Sequence, residues 1–147
     1  MAQVIAGVLI IQDGQYVVQK RDDIPTIAEP GMLALWGGAA ENDETPIEAG
    51  VRELLEETGL SVAVSDLQYV TNYETYGRSP EFIGKKIDVY IFKLELLSDV
   101  EINCYEGEGI VRFKNLSEIT KEGETPTDFL TTAIELYESN EHKGKKD

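Results

Sequence analysis

Apolar and polar residues alternate along the chain with two different periods, and these periods predict strands on either side of a central helix. The segments from Val4 to Ile11 and from Gln15 to Lys20 are rich in apolar residues and meet at Asp13-Gly14, a strong hairpin signal. Further strands are predicted at "MLALW", once or twice within "LSVAVSDLQYVTNYETY", at "IDVYIFKLEL" and at the end of "EINCYEGEGIVRF". The clearest period of two lies in "IDVYIFKLEL".

The central helix is marked at both ends. Thr45 is suited to the N-cap, Pro46 to the first helical position, and Glu48 stands where it completes a capping box. Gly59 is typical of the residue that follows a helix. The sequence therefore predicts a helix from Pro46 to about Thr58.

The second half of the chain completes the predicted fold. A turn is expected in "GRSPEFIGKK", a helical turn in "NLSEIT", and a helix in "TPTDFLTTAIELYESN", with Thr-Pro at its start. From about residue 139 we expect a polar, frayed tail. Strands before and after a central helix, with another helix last, predict an α+β fold with a mixed sheet in one domain over residues 1–147.

The overall composition limits the class of protein. A chain of 147 residues with 41% hydrophobic and 28% charged residues is typical of one globular domain. We interpret the start as the first strand rather than a signal peptide, and no apolar run reaches the roughly 20 residues that span a membrane. Cys104 is the only cysteine, so no internal disulfide is expected, and a reducing, cytoplasmic location is the expectation.

The charge and the histidine count narrow the chemistry further. A net charge of −15 argues against nucleic acid as a partner, because phosphate backbones are bound by clustered Lys and Arg. His142 is the only histidine and lies in the polar tail, which disfavours a Ser-His-Asp system and the usual zinc sites. Catalysis by this chain would therefore depend on carboxylates and hard metal ions.

The central helix concentrates its charges on one side. At about 100° per residue, an apolar side is predicted for Ile47, Val51, Leu54, Leu55 and Thr58, and an acidic side for Glu53, Glu56 and Glu57, with Arg52 at its edge. Like charges at this spacing destabilise a helix by roughly 0.2–0.5 kcal/mol per pair. By spacing alone the acidic side is more often a solvated surface than a site for Mg²⁺, which prefers carboxylates and phosphate oxygens.

A longer pattern decides between these interpretations. Gly38 is followed after five residues by Glu44, and after seven more by "RELLEETGL", from Arg52 to Leu60. This pattern resembles the box of the Nudix hydrolase family at every defined position. The resemblance implies a Nudix-type α/β/α sandwich with a mixed central sheet, and hydrolysis of a nucleoside diphosphate linked to another moiety with Mg²⁺ or Mn²⁺.

The resemblance also implies roles for individual residues. Glu53, Glu56, Glu57 and the carbonyl of Gly37 would bind metal, and Glu44 and Arg52 would form a supporting pair. Glu53 is the first choice for the catalytic base, although some relatives use a glutamate from a distant loop. Here that residue would be Glu106 or Glu108, with Glu106 preferred. The alternative is that Glu106 and Glu108 belong to an ordinary acidic surface loop and do not enter the site.

Two residues of the box region depart from the pattern that is frequent in the family. Asp43 stands where many relatives have glycine, which predicts a slightly different loop. Trp36 stands where proline is frequent, and a core position is favoured over stacking on a base.

The substrate is less well defined by the sequence. Arg21, with Lys20 beside it, and Tyr76 are candidate substrate-binding residues, whereas Pro80 lies too far along to match the proline of ADP-ribose hydrolases. A small one-domain form favours a nucleoside triphosphate hydrolase of the house-cleaning type. Nucleotide-sugar, ADP-ribose and dinucleoside-polyphosphate hydrolases remain alternatives, as does a nucleotide-sensing module that does not cleave. A homodimer is left open, and no membrane partner is expected.

Overall fold

The computed structural model of the protein describes residues 2–77 and 82–144. Its strands are β1 (Gln3–Gln12), β2 (Gln15–Lys20), β3 (Leu33–Ala34), β4 (Trp36–Ala39), β5 (Gln68–Tyr76), β6 (Lys86–Leu96) and β7 (Gly109–Phe113). Its helices are α1 (Pro46–Thr58), α2 (Leu116–Lys121) and α3 (Asp128–Gly144), with a short 3₁₀ helix at Val64–Asp66 before β5.

The strands form one mixed sheet between two layers of helix. The order β3-β2-β1-β6-β5 runs across the sheet, β1 and β6 are parallel, and β4 and β7 pair with β1 and β2. Alternate residues of β1 enter separate cores: Val8 and Ile10 pack with Leu54 of α1, whereas Leu9 packs with Ile119 of α2 and Ile134 of α3. The predicted α+β sandwich with a mixed sheet is confirmed.

The locally encoded elements form where the sequence predicts them. The hairpin turns at Asp13-Gly14, where both residues have positive φ. Helix α1 begins after Thr45, whose side chain accepts a hydrogen bond from the N–H of Glu48, and the Glu48 carboxylate accepts one from the N–H of Thr45. The helix ends at Gly59, which adopts the left-handed conformation with φ 76°.

The buried side of α1 differs from the predicted one. Leu55, predicted on the apolar side, is 51% exposed, and Glu57, predicted on the acidic side, is only 4% exposed. The residues of α1 that are buried are Ala49, Gly50, Leu54, Glu57 and Thr58. The prediction was wrong at Leu55 and Glu57 because the helix docks through its small residues, including Gly50, where an added methyl group would lie 3.3 Å from Leu67 Cδ1.

The segment "MLALW" was predicted as one strand and forms parts of two. Leu33 and Ala34 pair with β2, whereas Trp36 begins β4, which pairs with β1 and continues to Ala39. The chain changes partner at Leu35. By contrast, "LSVAVSDLQYVTNYETY" forms the 3₁₀ helix and then a single strand, β5.

The last helix begins later and ends later than predicted. Thr127, not Thr125, is its cap, because the Thr127 hydroxyl accepts a hydrogen bond from the N–H of Leu130. Pro126 instead forms a β-bridge with Leu33. Helix α3 continues through the predicted polar tail to Gly144, and Asn140 donates a hydrogen bond to the carbonyl of Val70.

Part of the predicted turn in "GRSPEFIGKK", including Pro80, lies outside the described residues. Within the described ranges, no helix is both long enough and apolar enough to cross a membrane.

Candidate active site

The site forms where α1 packs against the two glycines of β4. The N–H of Gly37 donates a hydrogen bond of 2.8 Å to Glu57 Oε1. A methyl group on Gly38 would lie 2.8 Å from Glu53 Oε1, and one on Gly37 would lie 1.9 Å from the carbonyl oxygen of Ala6. Only glycine therefore lets β4 approach both its partner strand and the carboxylates of α1 this closely.

The three glutamates of α1 differ strongly in burial. Glu57 is buried, the side chain of Glu53 is 16% exposed, and that of Glu56 is 50% exposed. Burial raises the pKa of Glu57 to about 8, although the Gly37 N–H and the Gln19 side chain act in the opposite direction. Burial also raises the pKa of Glu53, against the lowering effect of Arg52. Burial thus disfavours the charged forms of Glu57 and Glu53 when no cation is bound.

Arg52 links the loop after β4 to the acidic side of α1. Its Nε lies 2.8 Å from Glu44 Oε2 and its Nη2 lies 3.0 Å from Glu44 Oε1, which makes a bidentate ion pair. Nη2 also donates to the carbonyl of Ala39, and Nη1 lies 3.0 Å from Glu53 Oε1 and 3.2 Å from Glu56 Oε1. The supporting contact between Arg52 and Glu44 is therefore present, with the guanidinium also reaching the predicted metal ligands.

The acidic loop before β7 approaches the same carboxylates. The N–H of Tyr105 donates to the carbonyl of Glu57 at 2.8 Å, and the N–H of Glu108 donates to the carbonyl of Lys20 at 2.8 Å. Between these two anchors, Glu106 is close enough to Glu53 and Glu57 to raise the pKa of both carboxyls. The pKa of Lys20 is raised chiefly by Glu124 and to a smaller extent by Glu108, whose N–H is the second of these anchors.

The candidate substrate-binding residues line three pockets. Arg21 lines both a polar pocket of about 470 Å³ that contains Glu57 and Glu106 and a smaller pocket of about 190 Å³ that contains Gly37 and Gly38. Its Nε donates to the carbonyl of Ala28 at 2.8 Å. Tyr76 lines a third pocket of about 590 Å³ between β5 and α3. Lys20 is paired with Glu124 at 3.0 Å.

The two departures from the family pattern have clear positions. Trp36 is fully buried and its indole N–H donates to the carbonyl of Val17 at 2.8 Å, so it is a core residue. Asp43 has φ 68°, in the left-handed region that glycine adopts most readily and that aspartate tolerates better than most residues.

The carboxylates suit a hard divalent cation in their chemistry. They supply only oxygen ligands, and a cation beside Glu53 and Glu57 would offset the unfavourable burial of two charges. Among the described residues, however, no group of three Asp, Glu, His or Cys side chains is already arranged as a metal cage. Arg52 holds Glu53 and Glu56, and Gly37 holds Glu57, so cation binding would require these hydrogen bonds to rearrange.

Two polar residues near these carboxylates were missed by the sequence analysis. Gln19 is only 5% exposed and lowers the pKa of Glu57, and it lies in the polar pocket. Nothing in the sequence marks it, because residues 16–19 are all buried and β2 shows no alternation. Tyr105 lines the same pocket. The only feature of the sequence that could have indicated this position is the acidic loop in which Tyr105 lies.

Comparison with known proteins identifies the family of the chain. The NUDIX domain profile matches residues 1–131, so the chain belongs to the Nudix family, whose members are hydrolases of nucleoside diphosphate derivatives. A "MutT-like protein" of Streptomyces ambofaciens is 38% identical over 73 residues. That alignment covers 50% of this chain and 44% of the relative, so this chain matches less than half of the relative's length.

Solved structures share the fold over nearly the whole chain. The MutT NUDIX hydrolase of Burkholderia pseudomallei has a TM-score of 0.71 at 20% identity, covering 92% of this chain and 98% of the other. The E. coli dihydroneopterin triphosphate pyrophosphohydrolase has a TM-score of 0.70 at 20% identity, with coverages of 93% and 95%. At 20% sequence identity, these similarities show a shared fold and nothing more specific.

Proposed function

We propose that this protein is a Mg²⁺- or Mn²⁺-dependent pyrophosphohydrolase that cleaves nucleoside triphosphates. The observation that carries the proposal is the buried Glu57 carboxyl, which feels the charges of Glu53 and Glu106 and lines a polar pocket together with Glu106 and Arg21. Of the two structures compared above, one acts by its name on a triphosphate. A protein of related fold, the bifunctional NMN adenylyltransferase/ADP ribose pyrophosphatase of Francisella tularensis, has a solved structure in complex with AMP and a Mn ion.

The residues around the site would divide the work of cation and substrate binding. Glu53, Glu56 and Glu57, with the carbonyl of Gly37, would hold the cation. When bound, that ion supplies neutralisation of the diphosphate and polarisation of the attacking water. Arg21 lines both the polar pocket and the smaller pocket beside Gly37 and Gly38, and its guanidinium would bind a phosphate, which an otherwise acidic protein needs.

The hydrolytic step then involves one bond made and one broken. A water oxygen forms a bond to a phosphorus of the anhydride, and the bond from that phosphorus to the bridging oxygen breaks. Glu53, whose pKa is raised by burial, accepts the proton of the water, with Glu106 as the alternative base on the facing loop. The bridging oxygen leaves with the pyrophosphate, and the other product is a nucleoside monophosphate.

Arg52 would act as a positioning residue in this scheme. Its guanidinium is held by two hydrogen bonds to Glu44 and by the carbonyl of Ala39, which fixes it beside Glu53. A planar, five-donor group suits this arrangement, because it can hold the loop and the helix at the same time.

The proposal is tested with a panel of nucleoside triphosphates, nucleotide sugars, ADP-ribose and dinucleoside polyphosphates, with identification of the products in excess Mg²⁺ or Mn²⁺. We expect turnover of triphosphates and a loss of about 100-fold or more in kcat for Glu53→Gln. Glu101→Gln, on an exposed loop, is the matched control and should retain full activity. Full activity of both Glu53→Gln and Glu56→Gln would contradict the site.

The panel also separates the alternatives. Preferred cleavage of nucleotide sugars, ADP-ribose or dinucleoside polyphosphates would keep the site and replace the substrate. Tight nucleotide binding by isothermal titration, without turnover in saturating cation, would favour a sensing module instead.

A further inference from the structure

Gln19 is a buried polar residue of β2 that the proposed mechanism does not use. It is only 5% exposed. The side chains of β2 alternate between the two cores: Val18 belongs to the core beneath α2 and α3, and Val17 to the core beneath α1. Gln19 lies two residues after Val17 and therefore faces α1. An amide in such a layer is costly to bury unless its polar atoms find partners.

The amide of Gln19 joins the start of β4 to β2. Its Nε2 donates a hydrogen bond of 3.3 Å to the carbonyl of Leu35. Leu35 is the residue at which the chain changes its pairing partner from β2 to β1. Two residues later, the N–H of Gly37 donates to Glu57 Oε1. The amide thus fixes the strand end from which Gly37 holds the carboxyl.

The Glu57 carboxyl is also affected by this amide directly. Gln19 and Glu57 line the same polar pocket. Burial raises the pKa of Glu57, whereas the Gly37 N–H and, less strongly, the Gln19 side chain lower this pKa through hydrogen bonding. A hydrogen-bond donor favours the ionised carboxylate, which is the form that binds a cation. Glu57 is therefore held from two strands, by Gly37 of β4 and by Gln19 of β2.

The oxygen of the same amide faces the acidic loop. A methyl group on Gly107 would lie 3.3 Å from Gln19 Oε1 and 2.6 Å from the carbonyl oxygen of Lys20. Gly107 also has φ 91°, in the left-handed region. Glycine thus allows the loop that carries Glu106 to approach β2 closely at this point. Helix α1, strand β4 and the acidic loop therefore meet around one buried side chain.

We propose that Gln19 is a positioning residue of the cation site, whose amide holds the Glu57 carboxylate and the start of β4 in a fixed arrangement, so that Glu57 is ready to bind a divalent cation. The inference rests on the proposed function, because it requires a cation at Glu57. Residues that hydrogen-bond to metal ligands typically contribute roughly 10–100-fold to metal affinity or activity. Gln19 acts through Glu57 and is not itself a ligand.

The test uses Gln19→Met, which keeps an unbranched side chain of similar length and removes the amide. Affinity for Mn²⁺ is measured on the nucleotide-free protein by titration with MnCl₂, followed by electron paramagnetic resonance. We expect a dissociation constant about tenfold higher than that of wild type, and the Mn²⁺ concentration for half-maximal hydrolysis should rise by the same factor. An unchanged dissociation constant in folded Gln19→Met would overturn the proposal.

Gln12→Met is the matched control, because it removes another buried glutamine amide. Gln12 is 2% exposed and donates to the carbonyls of Leu97 and Val100. It lies at the end of β1, beyond the residues that pair with β4. We expect Gln12→Met to lower the melting temperature and to leave the affinity for Mn²⁺ unchanged. A loss of affinity as large as that of Gln19→Met would overturn the proposal, because the effect would then not be specific to the site.

A double-mutant cycle tests whether Gln19 acts through Glu57. In the Glu57→Gln background, Gln19→Met should change the dissociation constant for Mn²⁺ by less than about twofold, because the carboxylate that the amide positions is no longer present. The same loss of about tenfold in both backgrounds would overturn the assignment.

A second variant serves if Gln19→Met does not fold. Gln19→Asn keeps an amide but is one methylene shorter, so this amide cannot reach Leu35 and Glu57 as the glutamine does. It should also weaken the binding of Mn²⁺, and wild-type affinity in Gln19→Asn would contradict the proposal.

Failure of the proposed function gives a different result. If wild type binds Mn²⁺ but hydrolyses no nucleotide of the panel, the proposed function fails, and an affinity of Gln19→Met about tenfold weaker would still support the positioning role. If nucleotides are hydrolysed and Gln19→Met keeps the wild-type affinity for Mn²⁺, only the role of Gln19 fails. The absence of any binding of Mn²⁺ by wild type would overturn both proposals.

Discussion

Glu57 illustrates how much of the site depends on the surroundings of single residues. The box pattern identifies it as a candidate ligand, but the helical period places it with the exposed glutamates. The structure buries it against Gly37, where one backbone N–H and the neighbouring Gln19 only partly compensate its charge. The difference arises because burial depends on which side of α1 meets β4, and the period of one helix does not contain that information.

The buried carboxyl predicts a pH-dependent stability of the metal-free protein. The pKa of Glu57 is raised from an ordinary value of 4.5 to about 8, so between these values the folded state holds a proton that the unfolded state has lost. Stability therefore falls as the pH rises from about 4.5 to about 8, and the loss is complete above that. The Glu57→Gln variant should lack this loss of stability with pH, because its side chain does not titrate. The amide oxygen of the glutamine can still accept the hydrogen bond from the Gly37 N–H.

This prediction is measured by thermal denaturation in EDTA. We expect the melting temperature of Glu57→Gln to exceed that of wild type at about pH 9 by several degrees, a difference on the order of a few kcal/mol, and to approach it at about pH 5. Glu101→Gln, at an exposed position, gives the background. A constant difference between Glu57→Gln and wild type over this range would show that the Glu57 carboxyl does not titrate as described.

Arg52 allows a second test at the scale of one side chain. An ammonium group at its position can replace some of the contacts to Glu44, Ala39 and Glu53 but not all of them. We expect Arg52→Lys to lower kcat/KM by about tenfold or more, with a loss of stability on the order of 1 kcal/mol because the pair is partly exposed. Arg112→Lys, in β7 and bonded to Gln12, is the matched control and should keep kcat/KM within about twofold.

At the scale of elements, α1 depends on signals within its own sequence. The Thr45 hydroxyl and the Glu48 carboxylate each accept a backbone N–H that the first turn would otherwise leave unpaired. We expect Thr45→Ala to cost about 1 kcal/mol, or a fall of about 2–4 °C in melting temperature measured by circular dichroism. Thr45→Ser keeps a capping oxygen and should recover most of the loss. Equal losses in Thr45→Ala and Thr45→Ser would point to packing of the Thr45 methyl group instead.

Elements with local signals were predictable and those defined by distant partners were not. The Asp13-Gly14 hairpin and the two ends of α1 follow from turn and capping residues that are adjacent in sequence. The division of "MLALW" between β3 and β4 follows from pairing with two different strands. Likewise, Pro126 forms a β-bridge with Leu33, so α3 starts only after Thr127.

At the scale of the whole molecule, the charge of −15 opposes folding and is screened by salt. We expect the melting temperature to rise as NaCl is raised from about 20 to about 300 mM. Mg²⁺ at matched ionic strength should raise it further, by about 1.4 kcal/mol of stability at a tenfold excess over the dissociation constant. Differential scanning calorimetry measures both effects.

The specific part of this response is assigned by variants. In the combined variant Glu53→Gln with Glu57→Gln the additional effect of Mg²⁺ over NaCl should disappear, while the response to NaCl remains. An additional Mg²⁺ effect of the same size in this variant would indicate that the cation binds elsewhere on the acidic surface.

The sequence by itself determined the family, the order of most elements, and the set of acidic residues from which the site is built, because turn signals, caps and the box pattern are all local in the chain. Only the tertiary structure decided that Glu57 is buried, that Glu106 lies close enough to raise the pKa of Glu53 and Glu57, and that Tyr73 lines a pocket between β5 and α3. The physical reason is that burial, the electrostatic field of distant charges and the shape of a pocket are produced by segments that meet only on folding. A periodic pattern in one segment cannot specify what the other segment will bring against it.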